Sequence, residues 1–391
     1  MTKEPLRIAI VAGEESGDLL GADLVMALEA ATGRAIELVG VGGPHLQALG
    51  LRTLFDPGEI SLMGIGAVIK RLPRLFLRIG QTASAVVAAR PDCLITIDVP
   101  DFSLRVAKKV RAAAPGLPTV HYVCPSVWAW RPERAARMAA FVDHILCLLP
   151  FEVGELDRLK GPSGTYVGHR LVHEPRLIAA AERQRARPPR QPGQPATLLV
   201  LPGSRRSEVS RLLEPFRETV DLLATRCTPP RILLPTVAHV EAMVREQTAG
   251  WAVKPDILTT VDEKYRAFGE ADAALAASGT VTLELALGRV PTLACYKADP
   301  LMRAVYSWIG IWTASLPNLV ADSPVVPEFY DHFVRPGMLM RHLELLLAET
   351  PARMAQIAGF DRVASAMATD RPSGVIAAEA VLATIDGRRN G

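Results

Sequence analysis

RIAIVAGEESGDLLGADLVMALEAA, Arg7 to Ala31, passes from a short apolar run through a small-residue turn into a helical pattern. Arg7 to Ala12 suits a buried strand, and Leu19 to Ala31 repeats its apolar residues at helical spacing. A strand that runs straight into a helix is the first half of a βαβ unit. The same order recurs at Ile36 to Val41, at Cys93 to Asp98 followed by Ser103 to Ala114, at Thr119 to Val123 and at His144 to Leu149. That alternation predicts a parallel sheet wound with helices.

RQRARPPRQPGQP, Arg183 to Pro195, then sets five prolines or glycines among four arginines. Neither helix nor packed strand is expected there, so it reads as an exposed loop opening a second domain. The alternation restarts beyond it: Thr197 to Leu201 as strand, Val209 to Thr225 as helix, Arg231 to Pro235 as strand, and Ala273 to Ala276 before a helical Val281 to Leu287. The expected fold class is therefore α/β, with two Rossmann-like domains over residues 1–175 and 176–359. The Ala-rich segment Pro351 to Ile385 is helical in period and can pack on either half, with residues from about 360 to 391 as the part expected to return to the first domain.

A length of 391 residues fits two domains, since domains usually run to ~100–200 residues. Hydrophobic residues make up 49% and charged residues 22%, an ordinary globular composition. A net charge of +3 is too small an excess to indicate nucleic-acid binding. The five cysteines are scattered, odd in number and without a CxxC pair, so neither a disulfide framework nor a zinc site is expected, and a reducing cytosol fits. The N-terminus shows no signal-peptide pattern, and no run reaches the ~20 apolar residues of a spanning helix. His169 and His173 lie four apart without a third ligand, so no metal is expected, and no cofactor.

Five motifs sit where strands end. GEESGD, Gly13 to Asp18, joins strand to helix at the edge where ligands meet unpaired amides. Gly13 and Gly17 permit a close turn, while Ser16 and Asp18 either cap the helix or bind a sugar hydroxyl. It is not GxGxxG, which argues against a dinucleotide enzyme. In IDVPDF, Asp98 follows a buried strand and can take a proton from an attacking hydroxyl, or make only an Asx turn. Pro100 is expected to forbid an immediate helix and to hold Asp98 towards a cleft. PSVWAWRPER places Trp128 and Trp130 where indole faces suit sugar rings, acyl chains or plain core packing, with Arg131 and Arg134 near for a phosphate.

LPGSRRSEV, Leu201 to Val209, gathers Gly203, Ser204 and Arg205 before a helix starting near Ser207, an arrangement suited to a pyrophosphate. It lacks the lysine of a Walker loop. ASGTVTLE opens a second helix with Ser278, Gly279 and Thr280, and puts Glu284 about one turn in, as a partner for ribose hydroxyls or as a first-turn acid favoured by the helix dipole.

GEESGD, MGIGAVI, IDVPDF, HYVCPSVWAW, LPFE, LPGSRRSEV, SGTVTLE and SLPNLVA, in this order across nearly the whole chain, closely resemble the lipid-A-disaccharide synthases. The resemblance implies a GT-B fold, two Rossmann-like domains facing across a cleft, with the acceptor held mainly by the first and the UDP-sugar by the second. It implies a donor like UDP-2,3-diacylglucosamine, an acceptor like 2,3-diacylglucosamine 1-phosphate, and a β-1,6 disaccharide formed with inversion. Asp98 is then the candidate base, Arg205 and the Ser278 to Thr280 amides stabilise departing UDP, Asn318 and Glu328 lie near the donor, and Ser16 and Gly17 face the cleft. Ser103, Arg170 and Asp331 depart from the usual family residues.

ISLMGIGAVIKRLPRLFLRIG, Ile60 to Gly80, combines Met63, Ile65, Val68, Ile69, Leu72, Leu75, Phe76 and Leu77 with Lys70, Arg71, Arg74 and Arg78. It suits a segment lying on an anionic membrane, or a core helix with basic solvent residues. The expected location is cytoplasmic and peripheral, on the inner face of the inner membrane, with a homodimer left open. The rival readings are a UDP-N-acetylglucosamine 2-epimerase, a lipid-linked N-acetylglucosaminyltransferase, or a non-catalytic nucleotide-sugar-binding protein.

Overall fold

The computed structural model describes residues 4–60, 65–190, 193–298 and 312–390, and Met63 lies outside them. The chain divides into two compact units, Met1–Arg170 with Thr369–Gly391, and Leu171–Ala368.

The first unit carries β1 (Leu6–Ala12), β2 (Ile36–Val41), β3 (Arg52–Thr53), β4 (Cys93–Ile97), β5 (Thr119–Tyr122), β6 (His144–Cys147) and β7 (Ser163–Tyr166). They form one parallel sheet in the order β3-β2-β1-β4-β5-β6-β7. Its helices are α1 (Glu15–Thr32), α2 (Pro44–Ala48), α3 (Ile65–Ala89), α4 (Pro100–Ala113), α5 (Glu133–Met138) and α6 (Glu152–Arg158). The central strands β1 and β4 read as nearly continuous apolar runs because both faces are covered. Ile8 and Ile10 pack with Leu24 and Leu28 of α1, whereas Ala9 and Val11 pack with Val86, Phe102 and Val106 on the other face.

The second unit repeats the plan with β8 (Thr197–Leu201), β9 (Arg231–Pro235), β10 (Pro255–Leu258), β11 (Ala273–Ala277), β12 (Thr292–Tyr296) and β13 (Glu328–Tyr330). Their parallel order is β10-β9-β8-β11-β12-β13. Around them lie α7 (Pro175–Ala186), α8 (Arg206–Ala224), α9 (Ala238–Thr248), α10 (Val261–Glu270) and α11 (Thr280–Leu287). In each sheet the winding direction reverses once, between β1 and β4 and between β8 and β11. Ligands of open α/β sheets bind at that reversal, beyond the carboxyl ends of the strands.

Three sequence expectations need correction. The Arg- and Pro-rich stretch is helical over Arg183 to Ala186, because α7 continues through it. Gln184 donates to the Phe268 and Ala271 carbonyls at 2.6 and 2.8 Å, and this packing on α10 sustains the helix until Arg187, which precedes a proline and turns extended. The Ala-rich C-terminus is two helices: Pro351–Met367 stays with the second unit, and Ser373–Asn390 packs on α1 in the first. Leu75, expected on the lipid side, is 5% exposed. It shares the inner stripe of α3 with Ile79, Ala83 and Val86, whereas Phe76 and Leu77 are 53% and 66% exposed. Arg74 and Arg78 both pair with Glu59, at 2.9 and 2.8 Å. The side chains of Ile65, Val68, Ile69, Lys70, Arg71 and Leu72 lie outside the described residues.

Candidate active site

The topology places the sequence motifs in pairs. β1 and β4 are hydrogen-bonded neighbours, Ala12 opposite Ile97, so GEESGD and the Asp98 turn leave the first sheet side by side. Gly13 and Gly17 make that approach possible: a Cβ on Gly13 would lie 3.0 Å from Val99 Cγ2, and one on Gly17 would lie 3.3 Å from Ile97 Cγ2. Ser16 is exposed in the first turn of α1 and Gly17 is buried. Asp18 does not cap its own helix. Its buried carboxylate accepts from the amides of Gly43 at 2.6 Å and His45 at 2.8 Å, so it caps α2 and is no sugar ligand.

Asp98 directly follows β4 with φ at 51°, and Val99 comes next at 44°, a left-handed pair without glycine. Strain of this kind costs on the order of 1–3 kcal/mol per residue and persists where surrounding bonds impose it. Here the Asp98 amide donates to the Tyr122 carbonyl at 3.0 Å, and Ser103 Oγ donates to the Asp98 carbonyl at 2.6 Å. Ser103 thus fastens the turn. Pro100 does not delay the helix as expected; it occupies the first turn of α4, where a missing N–H removes no helical bond. The Asp98 carboxylate is half-buried and accepts one bond, from the Val99 amide at 2.8 Å. Desolvation raises its pKa, opposed by that amide.

Strand β5, next to β4, ends in a loop with three more left-handed residues, Val123, Ser126 and Arg131. Trp128 and Trp130 lie on it, both half-buried. Trp128 Nε1 donates to Glu152 at 3.3 Å and its ring meets Phe151 edge-on at 5.2 Å. The Arg131 guanidinium lies 5.0 Å from the Trp130 ring centre, and Arg134 pairs with Asp101 at 3.1 Å.

In the second unit β8 and β11 are neighbours, Leu201 opposite Ala276, which brings LPGSR and SGT together. Gly203 has φ at 110°, and a Cβ there would lie 2.7 Å from Glu208 Cβ. The Ser204 and Arg205 amides, expected to face a pyrophosphate, are taken by the Glu208 carboxylate, each at 3.2 Å. That capping leaves the Arg206 and Ser207 amides of the first turn of α8 for an anion, while the Arg205 guanidinium, exposed, pairs with Glu208 Oε1 at 3.3 Å. His239 Nε2, on α9, bonds the Ser204 carbonyl at 2.7 Å, a contact that no sequence pattern signalled.

Gly279 and Thr280 are exposed at the start of α11, and Ser278 is half-buried, its amide tied to the Cys295 carbonyl at 2.8 Å. Glu284 forms an ion pair with Lys264 of α10. Asn318 is buried, and its side chain uses both ends internally: Oδ1 accepts from the Val326 amide at 2.7 Å, and Nδ2 donates to the Val326 carbonyl at 3.0 Å and to Glu328 at 3.2 Å. Glu328 also accepts from Thr313 and Tyr330. Asn318 is therefore placed to hold Glu328, and only Glu328, half-buried, is open to solvent.

The solved structures that this chain resembles define the class. A Staphylococcus aureus MnaA–UDP co-structure superposes with a TM-score of 0.62 at 12% identity, covering 98% of this chain and 97% of that one. Acinetobacter baumannii MurG superposes at 0.58 with 12% identity, covering all of both chains. At such identity the likeness concerns the fold, and that fold is GT-B, the two-domain α/β architecture of many glycosyltransferases. Sequence narrows the class further. Residues 8–371 match the family described as Lipid-A-disaccharide synthetase, and the lipid-A-disaccharide synthase of Rhodopseudomonas palustris strain HaA2 is 46% identical over 375 residues, 94% of each chain. The chain belongs to the lipid-A-disaccharide synthase family and is a glycosyltransferase of lipid A biosynthesis.

Proposed function

We propose that the chain transfers 2,3-diacylglucosamine from UDP to the 6-hydroxyl of 2,3-diacylglucosamine 1-phosphate, forming a β-1,6 disaccharide with inversion. Asp98 takes the hydroxyl proton as the oxygen attacks the anomeric carbon and the bond to UDP breaks. The observation that carries this reading is the Asp98 turn, strained at the reversal point of the first sheet, with a desolvated carboxylate whose raised pKa makes it a better base than a solvated one. The second unit holds UDP: Arg205, the first-turn amides of α8 and the Gly279–Thr280 turn stabilise the leaving diphosphate, and Glu284 receives ribose hydroxyls. Glu328, held by Asn318, lies near the donor sugar. The UDP-bound MnaA relative supports a nucleotide site in this fold.

Acylated substrates call for a surface from which each chain can leave the bilayer, since every CH₂ kept from water contributes ~0.8 kcal/mol. No helix among the described residues is long and apolar enough to cross a membrane. The outer stripe of α3, with Phe76 and Leu77 exposed, supports docking on the anionic inner face of the inner membrane. UDP release with acylated and with unacylated sugars tests the assignment: turnover is expected with the acylated pair alone, and equal turnover with unacylated sugars, or epimerisation of the UDP-sugar, would overturn it.

A further inference from the structure

Glu152, in the LPFE segment after β6, is 3% exposed and carries no ion-pair partner among the described residues. One of its oxygens, Oε2, accepts from the Leu148 and Leu149 amides, both at 3.0 Å, and anchors the carboxylate to the end of its own strand. The other, Oε1, accepts from Trp128 Nε1 at 3.3 Å, reaching the loop after the neighbouring strand β5. Phe151, the residue before it, closes on the same indole edge-on at 5.2 Å. Burying a carboxylate is costly unless its lone pairs are used, and a structural anchor needs only the two backbone bonds. The second oxygen is spent on fixing the plane of one half-buried tryptophan, two residues from a left-handed Ser126 and at the same sheet edge as Asp98.

We propose that Glu152 is a positioning residue that clamps Trp128 as the apolar platform for the acceptor's acylated glucosamine. The proposal rests on the glycosyl-transfer reading and adds a residue pair that sets acceptor affinity. An indole offers a flat apolar face only if its tilt is fixed, and a single charge-assisted bond at Nε1 together with an edge-on ring fixes it. Protonation would weaken the clamp, because the neutral acid loses the charge that strengthens the bond and can turn its own O–H towards the indole donor. Burial already pushes Glu152 up to about 7, and the titratable groups that share its surroundings are held neutral, Cys124 by its hydrogen bond with Cys147 and by burial, Tyr166 by burial, with the Glu152 charge adding to both.

The test is Glu152→Gln. Its amide oxygen keeps the two backbone bonds, since leaving both amides unpaired costs more, and its NH₂ then faces the indole N–H, releasing Trp128 alone. Steady-state kinetics should show acceptor KM raised about tenfold, with kcat and donor KM within about twofold. Trp128→Phe should behave alike, and the double variant should be no worse than either single variant, as expected of one shared interaction. Acceptor KM of the wild type should rise as pH falls below about 7, and that rise should vanish in Glu152→Gln. Unchanged acceptor KM in Glu152→Gln, or additive effects in the double variant, would overturn the clamp. Acceptor binding followed by tryptophan fluorescence gives a readout that needs no turnover: Glu152→Gln should weaken it about tenfold, and unaltered binding would count against the clamp. A wild type that binds acceptor but makes no disaccharide would count instead against the glycosyl-transfer reading.

Discussion

At Asp98 the backbone, the hydrogen bonds and the surrounding apolar core act on one carboxylate. The left-handed φ of 51° suits Asp or Asn better than other side chains, and Asn can accept the Val99 amide as Asp does. Asp98→Asn should therefore keep the fold, with a melting temperature within a few degrees of the wild type, while kcat falls by ~10²–10⁴ as expected for loss of a general base. Because desolvation raises the pKa, the group binds its proton at a pH where an exposed aspartate is already ionised. The acid limb of kcat should accordingly lie above the ordinary aspartate range, activity being lost as pH falls through it, and a pH profile checks this. Gly203→Ala places a Cβ 2.7 Å from Glu208 Cβ at a φ of 110°. It should lose ~1–3 kcal/mol of stability and weaken UDP binding, which thermal unfolding and a UDP titration would read. The position of Asp98 at the carboxyl end of a strand was legible because it directly follows an apolar run. That Glu208 would take the Ser204 and Arg205 amides was not, although an acid three residues after a helix start is the general signal for it.

Among the elements, α3 carries buried and exposed apolar residues on a single helix, so its part in stability and its proposed part in membrane docking can be tested separately. Leu75→Ala removes a buried side chain and should cost ~2–5 kcal/mol of unfolding free energy. Replacing exposed Phe76 and Leu77 together by serine should leave stability nearly unchanged and reduce sedimentation with anionic vesicles several-fold; equal vesicle binding would remove this helix from the membrane account. The composition of α3 announced apolar and basic residues but not which side each would take, since Leu75 and Phe76 are adjacent and differ only in helical phase. The buried central strands could be read from continuous apolar runs such as Leu198 to Leu201. The short edge strands could not: β7 is the polar SGTY, and β10 begins with Pro255, tolerated because it lies at the sheet edge. Pro100 misled by appearing as a helix breaker where it is a first-turn residue.

For the molecule as a whole, the strand order matters more than any motif. Alternating strands and helices announced two wound sheets, but only the observed orders show that GEESGD neighbours the Asp98 turn and LPGSR neighbours SGT. The final helix ties the end of the chain to its beginning: Ala377, Val381 and Ile385 are buried with Leu24 and Leu28 of α1. Removing Thr369–Gly391 should destabilise the first unit by several kcal/mol, at ~1.5–3 kcal/mol for each large side chain re-exposed, and should lower its melting transition. We propose that a desolvated Asp98 activates the acceptor hydroxyl for displacement of UDP. This proposal is tested most directly by incubating purified wild type and Asp98→Asn with UDP-2,3-diacylglucosamine and 2,3-diacylglucosamine 1-phosphate and following products by mass spectrometry. Disaccharide 1-phosphate and UDP should form in equal amounts from the wild type, and ~10²–10⁴-fold more slowly from Asp98→Asn although that variant still binds UDP. Disaccharide made by Asp98→Asn at the wild-type rate would contradict the proposal.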